Sequence, residues 1–161
     1  MADVLTPAQR QLNMSNIKSK NSKLEMLIRR GLHARGLRFR LHDQSLPGRP
    51  DLVFARYNTA AFIHGCFWHV HKCALSKIPM TQQEFWKTKL TANAARDRQA
   101  IDALLAARWR VLVIWECALR GTGRLPEGEL LDNATDFIRN SALPQLDIAG
   151  SSKSGDANRS P

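Results

Sequence analysis

Seven residues in the second half of the chain, Trp109-Arg110-Val111-Leu112-Val113-Ile114-Trp115, restrict its fold more than any others. A strand sends successive side chains to opposite faces, so a run that is apolar at both odd and even positions has to be covered on both sides. That is the position of a central strand between helical layers, and it predicts an α/β domain rather than a sheet with one wet face. With 161 residues, of which 43% are apolar, the chain is long enough to bury such a strand in one domain.

The flanking patterns supply the layers. Ser22-Lys23-Leu24-Glu25 has the spacing of a capping box, with Ser22 as N-cap, and Leu24, Leu27, Ile28 and Leu32 form an apolar stripe running to about Arg35. Leu37 to Leu41 alternates as a strand with a basic face. Leu46-Pro47-Gly48-Arg49-Pro50 is a turn, in which Pro50 biases Arg49 toward extended backbone just before Asp51. Leu52-Val53-Phe54 and Ala60-Ala61-Phe62-Ile63 read as two strands of a hairpin. The longest helical pattern runs from Thr81 or Gln82 to about Trp109, with Leu90, Ala94, Ile101 and Leu104 on one face and Asp97 in the middle of it. A carboxylate there is desolvated unless it finds a partner elsewhere, and His69 suits that role. A last helix is expected from Glu127 to about Arg139. The organisation that results is a basic arm over residues 1–21, a domain over 22–145 and a disordered tail over 146–161, polar in composition from about Gly150.

Chemistry concentrates in His64-Gly65-Cys66-Phe67-Trp68-His69-Val70-His71-Lys72-Cys73, which holds three of the five histidines and two of the three cysteines. Cys66, His71 and Cys73, with Cys117 from the end of the central strand, offer three sulfurs and one nitrogen, a set suited to tetrahedral structural zinc. The competing reading makes the cysteines small buried hydrophobes. Asp51 at the head of a hairpin strand resembles the carboxylate that holds Mg²⁺ in restriction-endonuclease-like nucleases, or else caps the Pro-Gly turn. The lysine motif usual on the following strand of such nucleases is absent, so another group has to activate water. His69 oriented by Asp97 is suited to that, unless His69 is itself a zinc ligand. Glu25 serves either as part of the capping box or as a group pointing into an active site. Phe67, Trp68, Phe85 and Trp86 read either as core or as aromatics that enter a DNA stack.

Net charge narrows the partner. With 24 Lys and Arg against 14 Asp and Glu, the chain carries +10 and favours a polyanion, nucleic acid first. No apolar run suggests a signal peptide or a membrane span, and the default location is the cytoplasm.

Asn13-Met14, Ser22-Lys23-Leu24-Glu25, Leu46 to Asp51, Phe62 to His69, Glu84-Phe85-Trp86, Arg96-Asp97-Arg98 and Trp109 to Leu119 together closely resemble the very short patch repair endonucleases, over about Asn13 to Arg120. The resemblance implies a restriction-endonuclease-like fold, with a mixed central sheet flanked by helices and a structural zinc site. It implies a monomeric enzyme that nicks 5′ of the thymine in T:G mispairs left by deamination of 5-methylcytosine. Double-stranded DNA would be its substrate, with mismatch-repair proteins and a cognate cytosine methyltransferase as associated partners.

By the same resemblance, Asp51 and the main-chain carbonyl of Ile63 hold Mg²⁺, and His69 with Asp97 activates water. His64 and Glu25 support them, and Cys66, His71, Cys73 and Cys117 bind Zn²⁺. Phe67, Trp68 and Trp86 enter the duplex beside the mispair, while Met14 wedges from the other groove. Ile63 stands where the family has threonine, and Val70 and Lys72 where it has histidines. Two rival functions are a zinc-bearing DNA-binding module without catalysis and a nuclease without mismatch preference.

Overall fold

A computed structural model describes residues 23–69, 71, 73 and 80–151. The elements are α1 (Lys23–Ala34), β1 (Arg40–Leu41), β2 (Leu52–Phe54), β3 (Thr59–His64), α2 (Gln83–Ala106), β4 (Arg110–Trp115), α3 (Glu127–Asn140) and β5 (Gln145–Ile148). The strands form one sheet in the order β1-β2-β3-β4-β5. The β1–β2 and β2–β3 pairs are antiparallel, whereas β3, β4 and β5 are parallel, so the sheet is mixed. The parallel crossovers are long enough to contain α2 and α3, as parallel pairing demands.

The double-sided apolar strand does what its pattern requires. Leu112 and Ile114 of β4 join Ala61, Leu52 and Phe54 in a core packed under Ile28 and Leu32 of α1 and Leu130, Ala134, Phe137 and Ile138 of α3. Val111 and Val113 point the other way, with Ala60 and Phe62, into a second core closed by Leu104 and Ile101 of α2. Helices thus cover both faces. Among the described residues, no helix is long and apolar enough to cross a membrane.

Helix boundaries follow local hydrogen bonding. Helix α1 closes by the paired bonds Gly36 N–H to His33 C=O and Leu37 N–H to Leu32 C=O, at 3.0 and 3.1 Å. The same pair recurs after α2, from Arg108 to Leu105 and from Trp109 to Leu104. Helix α2 therefore ends at Ala106, before the Trp109 limit expected from the sequence.

Other departures have equally local causes. Of the alternating segment Leu37 to Leu41, only Arg40–Leu41 pairs, opposite Val53 and Leu52. Leu37 instead turns into the core and Phe39 packs edge-on to Phe54 at 5.6 Å. Arg49 is not extended: its φ is +49°, following Gly48 at +77°, as its N–H closes a turn onto Leu46 C=O at 3.2 Å. Gly48 is needed there, since a Cβ would lie 2.6 Å from the Ala100 Cβ of α2. The tail does not begin at 146. Gln145–Ile148 pairs in parallel with Val111–Ile114, so the domain continues through β5. Ser22, the residues of the arm and residues 152–161 lie outside the described residues.

Candidate active site

Strand β3 ends at His64, and the chain beyond it turns back on itself: His69 N–H bonds Gly65 C=O at 3.2 Å and His71 N–H bonds Cys66 C=O at 3.0 Å. That turn separates two chemistries. His71 Nδ1 lies 3.6 Å from Cys66 Sγ and 3.5 Å from Cys117 Sγ. With Cys73, these four donor atoms fall within 4.8 Å of one another, a set that could hold a metal ion. Backbone N–H groups of Cys117 and Gly150 donate to the sulfurs of Cys66 and Cys117, each at 3.3 Å, as thiolates favour. Burial pushes the thiols of Cys66 and Cys117 up and the imidazole of His71 down. The cysteines thus lose their charge unless a cation compensates, while His71 is held in the neutral form that binds metal. The Trp115 indole stacks on His71 with centroids 4.3 Å apart, and its Nε1–H donates to Asp147 at 3.1 Å.

His69 faces away from this cluster. Its Nδ1 pairs with Asp97 Oδ2. Asp97 reaches it because Trp86, Leu90, Ala94, Asp97, Ile101 and Leu104 are spaced by four and three residues and share one face of α2. The helix packs on loop aromatics at one end and on the sheet at the other, which places the carboxylate between them. With Nδ1 engaged, Nε2 is left as the acceptor atom of the imidazole. His64 stacks on His69 with ring centroids 3.7 Å apart and planes 8° from parallel. Burial holds His64 well below its usual range, and the charge of His69 acts in the same direction. These rings line a cleft of about 470 Å³ that extends toward Arg98, Asp102 and Asp147.

Asp51 lies at the head of β2. Its Oδ2 accepts the Ile63 N–H at 2.7 Å. A strand residue directs its N–H and C=O toward the same neighbour, so the Ile63 carbonyl also points to this edge. Burial pushes the Asp51 carboxyl up to about 6, and Glu25 adds to the rise. The Ile63 N–H and the charges of His42 and His69 oppose it, which places His69 within electrostatic reach. Glu25 itself is buried and pairs with Arg29 at 3.1 Å. It points into the fold, where Arg29 and His42 meet it.

The sequence reading missed three groups here. His42 brings Nε2 to 3.0 Å from Glu25 and Nδ1 to 3.7 Å from Asp51. Continuing the β1–β2 register, Arg40 to Val53 and Leu41 to Leu52, puts it opposite Asp51, a signal visible once that pairing is known. Glu116 accepts the Cys66 N–H at 3.1 Å and ties the loop to the end of β4. Gly150 reads as tail from composition, yet a Cβ there would lie 2.3 Å from the Cys117 carbonyl oxygen.

The aromatics are arranged differently from the projecting wedges expected. Trp68 and Trp86 are 7% and 5% exposed and pack with Leu90, leaving Phe67 half-buried at their edge. Phe67 contacts both indoles edge-on, at 5.1 and 5.4 Å. Met14 lies outside the described residues.

A mixed sheet that brings a half-buried carboxylate within electrostatic reach of a carboxylate-paired imidazole suits a hydrolase of the endonuclease class. The family model described as DNA mismatch endonuclease Vsr matches residues 2–75. The chain is 44% identical to the DNA mismatch endonuclease Vsr of Escherichia coli K12, over 93% of this chain and 97% of that protein. It is also 44% identical to the type II nicking enzyme V.XorIIP of Xanthomonas oryzae, over 78% and 92% of the two chains. To V.NmeAIP of Neisseria meningitidis the identity is 40%, over 74% and 86%. The chain belongs to the Vsr DNA mismatch endonuclease family.

Proposed function

We propose that this protein is a strand-specific mismatch endonuclease that nicks DNA 5′ of the thymine in a T:G mispair arising from deaminated 5-methylcytosine, thereby starting very short patch repair. The observation that carries the proposal is the His69–Asp97 pair placed within the field of Asp51. A protein that only bound DNA would gain nothing from a half-buried carboxylate on an otherwise apolar helix face.

Asp51, with the Ile63 carbonyl, would hold the catalytic ion, for which Mg²⁺ fits the oxygen donors. The fit rests on Asp51 itself, a desolvated acid beside a second acid, whose proton a cation would replace. Such an ion supplies Lewis-acid polarisation of the scissile phosphate and charge neutralisation at the leaving oxygen. His69 Nε2 takes the proton from the attacking water, and Asp97 fixes the tautomer and stabilises the imidazolium that results. His64 holds the His69 ring in plane from one side. Glu25 shapes the acidic wall opposite. Cys66, His71, Cys73 and Cys117 would bind structural Zn²⁺, since a closed set of three sulfurs and one nitrogen leaves no place for substrate.

Phe67 leads into the duplex, backed by Trp68 and Trp86 as a rigid stack. Unstacking at a mispair costs less than at a matched step, which favours mismatched sites. Met14 would enter from the opposite groove. The chain acts as a monomer in the cytoplasm, alongside mismatch-repair proteins and the methyltransferase whose product it corrects.

Incubating T:G and fully paired duplexes with Mg²⁺ or with chelator tests this directly. Nicking of the T:G duplex alone, and only with the ion, is expected. Asp51→Ala should bind that duplex without cutting it. Equal cutting of paired DNA would reduce the protein to a general nuclease, and binding without cutting to a DNA-binding module.

A further inference from the structure

We infer that His42 is a ligand of the catalytic ion, so that Glu25, His42 and Asp51 form a mixed nitrogen and oxygen site that prefers first-row divalent ions such as Mn²⁺ to Mg²⁺. The inference rests on the reading that Asp51 holds that ion and extends it by a nitrogen donor that no local sequence pattern marks.

The position of His42 is enforced by the backbone. Its N–H donates to the Asp51 carbonyl at 3.1 Å, one step beyond the last β1–β2 pair. Its φ of +48° lies in the left-handed region, which a side-chain-bearing residue adopts at a cost and which recurs at functional sites. The turn aims the ring inward, leaving 19% of the side chain exposed.

Inside, the ring meets two carboxylates. Nε2 lies 3.0 Å from Glu25 Oε2, and Nδ1 lies 3.7 Å from Asp51 Oδ1. One donor atom from each of the three residues falls within 4.8 Å of the others. A neutral imidazole has one N–H, so it can satisfy one carboxylate while its other lone pair faces the second. A doubly protonated ring would donate to both. The geometry matches neither arrangement: Nε2 is buried without a hydrogen bond despite its closeness to Glu25, and the Nδ1 separation exceeds hydrogen-bond range. A cation among the three groups would accept a lone pair from each of them. Arg29 holds Glu25 in place at 3.1 Å.

Donor chemistry then sets the choice of ion. Carboxylate, carbonyl and water oxygens suit Mg²⁺, whereas an imidazole nitrogen favours transition metals. The same pocket without its ring would be an ordinary oxygen site.

The test titrates zinc-loaded protein with Mn²⁺ and separately with Mg²⁺, and looks for ¹⁴N coupling to bound Mn²⁺ by pulsed electron paramagnetic resonance. Parent protein should show the coupling. His42→Gln should lose it and bind Mn²⁺ about tenfold more weakly, with Mg²⁺ affinity changed by no more than about twofold. His42→Asn is measured in the same way should the glutamine variant not be recovered. His69→Gln should keep the coupling. If the coupling survives in both His42 variants, or disappears in His69→Gln instead, the inference is overturned while Asp51 keeps its role, provided Asp51→Asn abolishes Mn²⁺ binding. If Asp51→Asn binds Mn²⁺ as the parent does, the ion site assigned to Asp51 falls as well.

Discussion

The cysteine cluster and the carboxylate cluster are both served by strand β3, yet the chain completes them in different ways. Cys66, His71 and Cys73 lie within one loop, and only Cys117 comes from elsewhere, carried to them by the parallel pairing of β3 with β4. Glu25, His42, Asp51, His69 and Asp97 come instead from α1, the end of β1, the head of β2, the loop and α2. The first cluster is a loop closed around soft donors and braced by backbone N–H groups. The second is a convergence of distant elements, so its geometry depends on sheet register and helix phase. Damage to the first should appear as lost stability, and damage to the second as lost chemistry.

The largest break expected is Cys117→Ser. Losing one donor from a four-ligand site forfeits metal binding that is also folding free energy, so stability should fall by more than about 4 kcal/mol, together with metal content. An unchanged melting temperature would deny the cluster its structural role.

The contrasting variant is Asp51→Asn, read by urea denaturation without added divalent ion. In the folded chain the Asp51 carboxyl is raised from 3.8 to about 6. The folded state therefore holds an extra proton between those values. The stability this contributes is complete below the lower value and is lost as pH rises through the upper one, a difference of up to about 3 kcal/mol. Asp51→Asn should remove that loss and be the more stable protein at pH 7.5 but not at pH 4. Parallel pH profiles for variant and parent would contradict the account of Asp51 as a desolvated acid.

Gly150→Ala sharpens the boundary of the first cluster. The added Cβ meets backbone oxygens of Cys117 at 2.3 Å and Gly123 at 2.9 Å, which cannot swing aside as a side chain would. A loss of about 2 kcal/mol is expected, with shifted thiolate-to-metal bands in Co²⁺-substituted protein. Unaltered bands would show that the N–H of Gly150 does not support the sulfur. The smallest effect belongs to Phe67→Ala, which should weaken T:G binding about tenfold with little change in melting temperature. Equal weakening on paired DNA would argue against a mismatch wedge.

How far the sequence carried depended on distance along the chain. The two-faced β4 pattern was legible because Val111 to Ile114 are apolar at successive positions, which only cover on both faces accounts for, and the Cys66 to Cys73 spacing because it is local. Asp97 was legible as an anomaly, an acid on an apolar stripe that needed a partner. His42 was not, because its meaning comes from a register that begins only two residues earlier. Residues 146–148 read as tail because a short edge strand with Gln and Asp lacks the apolar signature of β4. The burial of Trp68 and Trp86 depended on α2 passing over the loop, which no local pattern encodes.

The separation of the two clusters turns on which side His69 serves. Replacing it with alanine and measuring nicking of a T:G duplex alongside bound zinc tests this most directly. Cutting should fall by roughly a thousandfold, as loss of a general base predicts, while zinc stays at the parent's level. Zinc lost in step with activity would move His69 into the cysteine cluster and leave the hydrolytic site without its base.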